Sequence, residues 1–435
     1  MFPSWLSSLG LVLLLPLLAD AGAFNIAGMD SPDRIENSFI AVFNSSASES
    51  DVTKCRDSMV AKMRRRSLEK RNNETEGEHT YIAMGRFRAM TCETDAETVA
   101  EMQEEAGSTI AWVEAVMPVS MPESAEQIAS ASAVQRLAVN DQDPNRLNLV
   151  DKADVGQPAP ADNVQGQGQG TTIYVMDTGC NDHVVYTGRA RRAANFVRGE
   201  NAADNNGHGT HTAGSAAGDG TGTAPKAGIA CVKILNGQGS GDTRAILGGF
   251  QFVMRDATPG KCVVNLSLAS SKSQAVNQAA DTLGQMCAVC VAAGNDGKDA
   301  STRSPASAPG VITVGATDST TGQLASFSNF GPDVDINAPG VNVLSADSLN
   351  PQGLKALSGT SMACPQVAGR CADVLSTQQQ SCVPNCSQVC LEQLQGVAAK
   401  DAPVSNVPPG TSDLEVDTTS QVPIAKARGA RRRRR

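Results

Sequence analysis

Short apolar segments alternate with helix-like segments from residue 171 to residue 375, and this alternation constrains the fold more than any other feature. The apolar segments lie at 171–176, 227–235, 262–268, 286–293, 311–316 and 334–336, and the helix-like segments lie at 243–255, 273–285 and 360–375. Continuously apolar strands that alternate with helices are typical of a parallel sheet covered on both faces. The sequence therefore predicts an α/β fold with a mostly parallel, twisted sheet, whose functional loops lie at the carboxyl ends of the strands.

A smaller unit precedes this region. Strand-like segments at 38–43, 79–87 and 110–119 alternate with helix candidates at 51–66 and 95–106, which predicts a small α+β domain over 24–120. Residues 121–145 are polar and rich in Ala and Ser, without a strong strand pattern, and are interpreted as a linker and processing region. The main domain is expected over 146–404, followed by a disordered tail at 405–435 that ends in five arginines.

The first 23 residues have the pattern of a secretory signal peptide. An apolar run at 9–18 precedes small residues at 19–23, although a charged start is missing. A membrane anchor is the alternative, but the apolar run is too short to span a bilayer comfortably. The net charge of −9 and the aromatic content of 3% argue against nucleic acid as a partner of the main body. We therefore expect a secreted, extracellular monomer without a stable membrane span.

Twelve cysteines are present, and a secreted chain is expected to form disulfides among them. Cys55 and Cys92 lie apart from the other ten, which makes them candidates to pair with each other. Cys287 and Cys290 lie in an apolar strand and are interpreted as core thiols, and Cys364 as a small core residue. For the cysteines at positions 382, 386 and 390, disulfides to other segments are favoured over metal binding.

Four polar side chains stand where such a sheet places functional groups. They are Asp177 and Asn295, which each end an apolar strand, His208, which begins a helix of small residues, and Ser361, which lies in a small-residue turn before a helix. A serine hydroxyl attacks a carbonyl when a base removes its proton, and a histidine oriented by a carboxylate can be that base. An asparagine amide can stabilise the oxyanion that forms.

Each of these residues also has another explanation. Asp177 and Asn295 can be plain turn residues at strand ends. His208 and His211 are spaced like a pair of metal ligands, but the glutamate of a helical zinc-hydrolase motif is missing between them. An esterase or lipase is excluded because Ser361 lies in Gly-Thr-Ser-Met-Ala and not in a Gly-x-Ser-x-Gly turn.

In this order the four residues resemble the subtilisin-like serine proteases, whose chain order is Asp, His, Ser. The resemblance covers about residues 140 to 400, is closest to the proteinase K-like branch, and is carried by segments that include Asp177-Thr178-Gly179, Gly207-His208-Gly209-Thr210-His211, Ala292-Ala293-Gly294-Asn295 and Ser358-Gly359-Thr360-Ser361-Met362-Ala363. It implies a catalytic triad of Asp177, His208 and Ser361. Asn295 and the backbone N–H of Ser361 then bind the oxyanion, and the first unit is similar to the family's inhibitory prodomain.

The resemblance also implies where a substrate binds. A peptide is expected to add as a strand between Gly239-Ser240-Gly241 on one side and Ser267-Leu268-Ala269 on the other, with Ala292-Ala293-Gly294 lining the primary specificity pocket. The family has two glycines where this chain has Ala269 and Ser270. We therefore expect a crowded pocket edge and a preference for slim side chains before the scissile bond.

The predicted function is a secreted serine endopeptidase that acts on proteins and peptides and is made as a self-processing zymogen, cut between about Pro118 and Asn140. No cofactor is required for the chemistry. The resemblance implies a structural calcium ion, bound by the carbonyls of Pro309 and Val311 and the carboxylate of Asp335. The alternative is a chain that cleaves itself once, retains its prodomain and then acts only as a binding protein. The complete set of Asp, His, Asn and Ser favours the enzyme.

Overall fold

The computed structural model describes residues 26–70, 78–121, 135–140, 143–149, 166–398 and 403–416. The predicted signal peptide and the terminal arginines lie outside these ranges. Within them, a small unit of strands and helices lies against a larger α/β unit. None of the helices described there combines the length and the apolar character that crossing a bilayer requires.

The first unit forms an antiparallel sheet in the order β2-β3-β1-β4. Its elements are β1 (Ser38–Phe43), α1 (Glu49–Lys70), β2 (His79–Met84), β3 (Phe87–Glu93), α2 (Ala96–Ala106) and β4 (Ile110–Ala115). Phe39, Ala41 and Phe43 pack with side chains of α1 and α2. Ile40 and Val42, on the opposite face of β1, pack with the larger unit. Because neighbouring residues of a strand face opposite ways, β1 contributes to two cores.

Three strands follow the first unit, and they are β5 (Pro118–Ser120), β6 (Gln135–Asn140) and β7 (Asp143–Leu149). The larger unit then contains β8 (Thr172–Asp177), β9 (Ala190–Asn195), α3 (His208–Ala217), β10 (Gly228–Lys233), β11 (Ser240–Asp242), α4 (Thr243–Asp256), β12 (Cys262–Leu266), β13 (Ala269–Ser271), α5 (Gln274–Gly284), β14 (Ala288–Ala292), β15 (Arg303–Ser304), β16 (Ile312–Asp318), β17 (Gln323–Leu324), β18 (Ile336–Pro339), β19 (Val343–Asp347), β20 (Asn350–Leu357), α6 (Thr360–Thr377) and α7 (Cys386–Val397).

The main sheet of the larger unit has the strand order β17-β16-β14-β12-β8-β10-β9, and β18 also pairs with β16. Its pairings are parallel except for that of β16 with β17. Ile173 and Val175 of β8 pack with α3 and α6. Tyr174 and Met176 pack with α4 and α5 on the other face. The predicted parallel sheet with helices on both faces is confirmed.

The strand order places two of the candidate residues at one edge of this sheet. From β8 the chain passes to β9 and β10 on one side, and later to β12, β14 and β16 on the other. In open parallel sheets, ligands bind at the carboxyl ends of the strands where the order reverses in this way. Asp177 ends β8, and Asn295 follows β14 by three residues.

The structure differs from the predicted linker and tail. β6 and β7 pair with each other within and just beyond the predicted linker, and β6 also pairs with β20. Near the C-terminus, Leu324 N–H donates to Ser405 O at 3.0 Å and Asn337 N–H donates to Leu414 O at 2.8 Å. The side chain of Val416 is buried. Residues 403–416 therefore belong to the packed domain, because they satisfy backbone groups of β17 and β18. The disorder predicted for 417–435 lies outside the described residues.

The interpretation of Cys287 as a free core thiol is wrong. Cys287 forms a disulfide with Cys262, with a Cα–Cα distance of 4.8 Å. The reason is the pairing of β12 with β14, which places Val263 opposite Ala288 and so brings the preceding cysteines side by side. A second disulfide joins Cys180, which lies in the turn after β8, to Cys231 of β10, the strand that pairs with β8.

Two further cysteine predictions are also wrong. Cys55 and Cys92 are both free, and the Cys55 sulfur instead lies 3.9 Å from the sulfur of Met59. Of the cysteines predicted to form disulfides to other segments, those at 382 and 386 pair with each other across the turn before α7, and Cys390 is free. The predicted core positions of Cys290 and Cys364 are confirmed, because both are free and fully buried. Burial raises the pKa of the Cys364 thiol.

Replacing both Cys262 and Cys287 with serine should destabilise the folded chain by about 2–4 kcal/mol, because their disulfide closes a loop across 25 residues and restricts the unfolded chain. The thermal unfolding midpoint, measured by scanning calorimetry, should fall by several degrees. Cys55→Ser is the control, since it removes a half-buried free thiol. A non-reducing peptide map of the wild-type protein in which Cys262 and Cys287 both carry alkylated thiols contradicts the prediction.

Candidate active site

The candidate site is built around Asp177, the last residue of β8, whose side chain is completely buried. Its Oδ1 accepts a hydrogen bond from Thr178 N–H at 2.7 Å. Both carboxylate oxygens lie 2.9 Å from Nδ1 of His208. Because an ionised carboxylate only accepts hydrogen bonds, a neutral His208 carries its proton on Nδ1 and leaves Nε2 free of a proton.

His208 is the first residue of α3, and glycines on each side of it allow this helix to approach Asp177. Gly207 has a φ of +112°, in the region that favours glycine. A Cβ on Gly209 would lie 2.0 Å from the carbonyl oxygen of Gly179, in the turn after β8. A side chain at Gly209 would therefore force the helix away from that turn.

Asp204 is a supporting residue that was not predicted from the sequence. Its Oδ1 accepts hydrogen bonds from Thr178 Oγ1 at 2.8 Å and Gly207 N–H at 2.7 Å. Its Oδ2 accepts from Thr210 N–H at 2.9 Å and from Thr210 Oγ1 at 2.6 Å. One buried carboxylate thus joins the turn after β8 to the first turn of α3. An acidic residue four positions before His208 is the pattern that points to it, since carboxylates favour helix N-termini.

Ser361 is the second residue of α6 and is 2% exposed. Its Oγ donates to Ser267 O at 3.3 Å, and Ser267 Oγ donates to Ser361 O at 2.9 Å. The second bond is available because Pro365 has no N–H to donate to the Ser361 carbonyl within the helix. The hydroxyl lies at the N-terminal end of an 18-residue helix, where the helix dipole favours negative charge.

The side-chain amide of Asn295 is oriented by Thr360, the residue before Ser361. Asn295 Oδ1 accepts from Thr360 N–H at 2.9 Å and from Thr360 Oγ1 at 2.8 Å. A Cβ built on Gly359 would lie 3.0 Å from Asn295 Nδ2. The oxygen end of the amide is therefore held by α6, and its donor end lies beside the segment that carries the serine.

The two predicted substrate edges lie on either side of β5. β11 and β13 both pair antiparallel with β5, so that Ser240 and Ala269 lie opposite Ser120. Met121 N–H donates to Gly239 O at 3.1 Å. The resulting sheet has the order β11-β5-β13-β15. A strand of the chain itself therefore occupies the place that the sequence analysis predicted for a peptide substrate.

The direction of β5 shows that the chain approaches Ser361. Because β5 and β13 are antiparallel and Ser120 lies opposite Ala269, the chain beyond Ser120 runs toward the position of Ser267. The Ser267 carbonyl is the group that accepts the hydrogen bond of Ser361 Oγ. β5 thus leads the chain toward the candidate nucleophile.

The predicted pocket wall of Ala292, Ala293 and Gly294 lies at the carboxyl end of β14. Ala292 and Ala293 are fully buried, and Gly294 has a φ of +108°. A Cβ on Gly294 would lie 2.4 Å from Nδ2 of Asn329. Asn329 Nδ2 donates to Ala293 O at 2.9 Å, and its Oδ1 accepts from Asp296 N–H at 3.0 Å. The buried side chain of Asn329 therefore fixes the loop that carries the candidate oxyanion donor.

At the pocket edge, Ser270 Oγ lies 2.8 Å from Ser271 O and 3.2 Å from Ser304 O, so that its one proton is shared between two carbonyl acceptors. Its side chain is thus tied to β15. The crowding predicted at this edge therefore rests on Ala269, which is partly exposed.

Two other histidines contact backbone carbonyls. His211 Nε2 lies 3.1 Å from Val343 O and 3.0 Å from Lys355 O, and burial lowers its pKa to about 3. His183 Nε2 lies 2.8 Å from Gly353 O. Among the residues that the structure describes, no group of three His, Cys, Asp or Glu side chains could hold a metal ion. His211 Nε2 thus contacts backbone carbonyls, and His208 Nδ1 contacts Asp177.

The residues of the candidate calcium site lie close along the chain to β16 and β18. Asp335 Oδ2 accepts from Thr313 N–H at 2.8 Å, and Asp335 N–H donates to Thr313 O at 2.9 Å. Burial, together with the nearby Asp333, raises the pKa of the Asp335 carboxyl to about 6. This carboxylate, held by Thr313 two residues after Val311, is the kind of oxygen ligand that a hard cation prefers.

Comparisons with known proteins identify the family of the chain. A family model described as the subtilase family matches residues 168–411. Subtilisin-like protease 2 of Pseudogymnoascus destructans is 37% identical over 365 residues, which cover 82% of this chain and 86% of that protein. A cuticle-degrading serine protease of Arthrobotrys oligospora is 44% identical over 223 residues, or 50% of this chain and 54% of that protein.

A solved structure extends the agreement to the fold. The crystal structure of a cold adapted subtilisin-like serine proteinase has 33% sequence identity and a TM-score of 0.54, and the match covers 65% of this chain and 97% of that one. The resemblance predicted from the sequence is therefore confirmed, and the chain belongs to the subtilase family of serine proteases.

Proposed function

We propose that this protein is a secreted serine endopeptidase in which Asp177, His208 and Ser361 form the catalytic triad. The observation that carries the proposal is the buried pair of Asp177 and His208, with both carboxylate oxygens 2.9 Å from Nδ1. This pair fixes the tautomer that a general base requires. Ser361 stands at a helix N-terminus, which favours the charge that develops on its oxygen.

In this mechanism His208 Nε2 takes the proton of Ser361 Oγ as the oxygen attacks the peptide carbonyl. The imidazolium that forms is stabilised by Asp177, and it then protonates the leaving amine. The acyl-enzyme is hydrolysed by water, which His208 deprotonates in the same way. Ser361 then regains its proton and the second product leaves.

The developing oxyanion is proposed to bind Asn295 Nδ2 and the backbone N–H of Ser361. Support comes from Thr360, which holds the Oδ1 end of the amide through both its N–H and its hydroxyl. A donor fixed before the reaction is effective because it does not have to reorganise as charge appears.

Substrates are proposed to bind as a strand between β11 and β13. Support comes from β5, which pairs with both strands through backbone groups. Such pairing places few demands on the amino-acid sequence of the bound segment. Val119 of β5 is 1% exposed and packs with Leu268 and Ile234. We therefore propose that the enzyme accepts an aliphatic residue at the corresponding substrate position, together with a slim residue before the scissile bond.

The first unit is proposed to be the inhibitory prodomain of a zymogen that processes itself. Support comes from the position of β5 between the substrate edges and from Glu114, a buried carboxylate of β4. Glu114 accepts hydrogen bonds from Ser273 Oγ and, at 3.1 Å, from Ala275 N–H, at the start of α5. The direction of β5 favours a cut beyond Met121, within the predicted interval between about Pro118 and Asn140.

The enzyme is proposed to be extracellular and to hold a structural calcium ion. The three disulfides and the signal-peptide pattern support an extracellular enzyme. A structural calcium ion would be held by Asp335 and the carbonyls of Pro309 and Val311, and it would stabilise the loop before β16. It takes no part in the chemical steps. The enzyme is proposed to act on protein and peptide substrates as a monomer.

The alternative is a chain that cuts itself once, keeps its prodomain and acts only as a binding protein. The extensive burial between the units favours it, since Ile40 and Val42 of β1 are at most 1% exposed. Digestion of casein by the wild-type protein after prodomain removal supports the enzyme. Self-cleavage without any casein digestion supports the binding protein.

Ser361→Ala should abolish both the prodomain cut and casein hydrolysis, because it removes the attacking oxygen. The secreted variant is expected as one full-length species on a denaturing gel, whereas the wild type yields separate prodomain and mature bands. Ser376→Ala, at the other end of α6, is the control. A Ser361→Ala chain that still processes itself in pure form contradicts the assignment of the nucleophile.

Asn295→Ala should lower kcat for a peptide substrate by about 100- to 1,000-fold with little change in KM, which is the loss recorded for removing one such donor in subtilisin. The measurement is steady-state hydrolysis of a chromogenic tetrapeptide. Asn277→Ala on α5 is the control. A rise in KM of the same size, with constant kcat, would assign Asn295 to substrate binding and remove it from the oxyanion site.

Glu114→Ala should weaken inhibition by the cleaved prodomain about 10- to 100-fold, because it leaves buried donors at the start of α5 without their acceptor. The measurement is the lag before casein activity appears after secretion, which should shorten. Glu104→Ala, an exposed change on α2, should keep the wild-type lag. A Glu114→Ala lag equal to that of the wild type argues against the proposed role of the first unit.

A further inference from the structure

We infer that Glu200 is a positioning residue that sets the substrate-pairing edge of β11 in register with the catalytic residues. The inference rests on the proposed function, since it concerns the same site. Glu200 lies in the loop between β9 and α3 and touches neither the nucleophile nor the base. Its effect on catalysis is therefore exerted through the loop that leads to β11.

The anchor of Glu200 is a buried lysine. Lys233 ends β10 opposite Asp177 in the parallel register, and its side chain is completely buried. Its Nζ donates to Thr178 O at 2.6 Å and lies 3.1 Å from Glu200 Oε2. A buried ammonium requires compensating acceptors. Here they are the backbone carbonyl of Thr178, the residue after Asp177, and the carboxylate of Glu200.

The same carboxylate reaches the loop before β11. Gly237 N–H donates to both oxygens of Glu200, at 3.0 and 3.1 Å. Asn205 Nδ2 donates to Glu200 Oε2 at 3.1 Å, in the segment that precedes His208. Asn195 Nδ2 donates to the Glu200 carbonyl at 2.7 Å, which fixes the backbone. Glu200 thus joins the end of β10, the approach to α3 and the loop before β11.

The loop that Glu200 holds leads directly to the substrate edge. Asn236 N–H donates to Ser240 O at 2.8 Å, and Gly239 N–H donates to Asn236 O at 2.9 Å, so the loop is a compact turn. Gly239 O accepts the hydrogen bond of Met121 in the strand that occupies the substrate position. A displacement of Gly237 would therefore move the acceptors that a substrate backbone uses.

Hydrogen bonding keeps the carboxylate in its charged form. The Gly237 N–H is the largest influence, and it lowers the pKa of Glu200 below its usual value, with further contributions from Asn205 and Lys233. Charged acceptors bind backbone N–H groups more strongly than neutral ones. A neutral amide at this position should therefore hold the loop less firmly while it retains the shape of the side chain.

The role assigned to Glu200 predicts a split between substrates. A tetrapeptide anilide reaches β11 through its backbone, whereas an N-acetyl amino-acid ester has no residues that extend to that edge. Removal of Glu200 should therefore raise KM for the tetrapeptide more than for the ester, with a smaller effect on kcat. A purely structural role would reduce both activities in the same proportion.

The test compares wild type, Glu200→Gln and Glu200→Ala on the tetrapeptide and the ester, using the matured enzyme. We expect KM for the tetrapeptide to rise about fivefold in Glu200→Ala, with Glu200→Gln in between, and kcat to change by less than about twofold. Glu392→Ala, an exposed change on α7, is the control. Proportional losses on both substrates, or a tetrapeptide KM equal to that of the wild type, overturn the inference.

If Glu200→Ala does not yield matured enzyme, a second measurement tests the same inference. In the full-length Ser361→Ala chain, hydrogen exchange of peptides that span 236–242 should be faster in Glu200→Ala than in Glu392→Ala. Equal exchange overturns the inference. Wild-type protein that hydrolyses neither substrate would instead overturn the proposed function. The two failures are therefore distinguishable.

Discussion

The main sheet is covered by helices on both faces, and this constraint determines where chemistry can occur. Ile173 and Val175 point to one apolar layer and Tyr174 and Met176 to the other, so that β8 offers no interior place for a charge. The one charged side chain of β8, that of Asp177, therefore lies at the end of the strand. Its buried carboxylate requires hydrogen bonds, and these draw in Thr178 and His208.

Hydrogen bonds from supporting residues hold the loops that carry the candidate catalytic residues. Asp204 joins the turn after β8 to the first turn of α3, and Asn329 fixes the loop after β14. Thr360 links that loop to α6. Segments that are far apart in the chain thus share short polar connections at one edge of the sheet. Glu200 and Lys233 extend the same arrangement to the substrate edge.

The first unit is stabilised by what it covers. Its sheet packs its own helices on one face and α4 and α5 on the other, while β5 completes a four-stranded sheet with β11, β13 and β15. If β5 stands in for substrate, inhibition and substrate binding use the same backbone groups of β11 and β13. The strength of inhibition then depends on contacts outside that strand, such as the buried carboxylate of Glu114, which accepts hydrogen bonds at the start of α5.

The sequence by itself determined the α/β class, the parallel sheet and the family, because apolar periodicity and short motifs are local properties. It also indicated Asp177 and Asn295 as strand-end residues. Only the tertiary structure decided which cysteines pair, since Cys262 and Cys287 meet through the pairing of β12 with β14. It likewise decided that residues 403–416 pack on β17 and β18, and that Asp204 and Glu200 hold the loops of the site. Such contacts depend on which distant segments become neighbours, and an amino-acid pattern along one segment does not specify that.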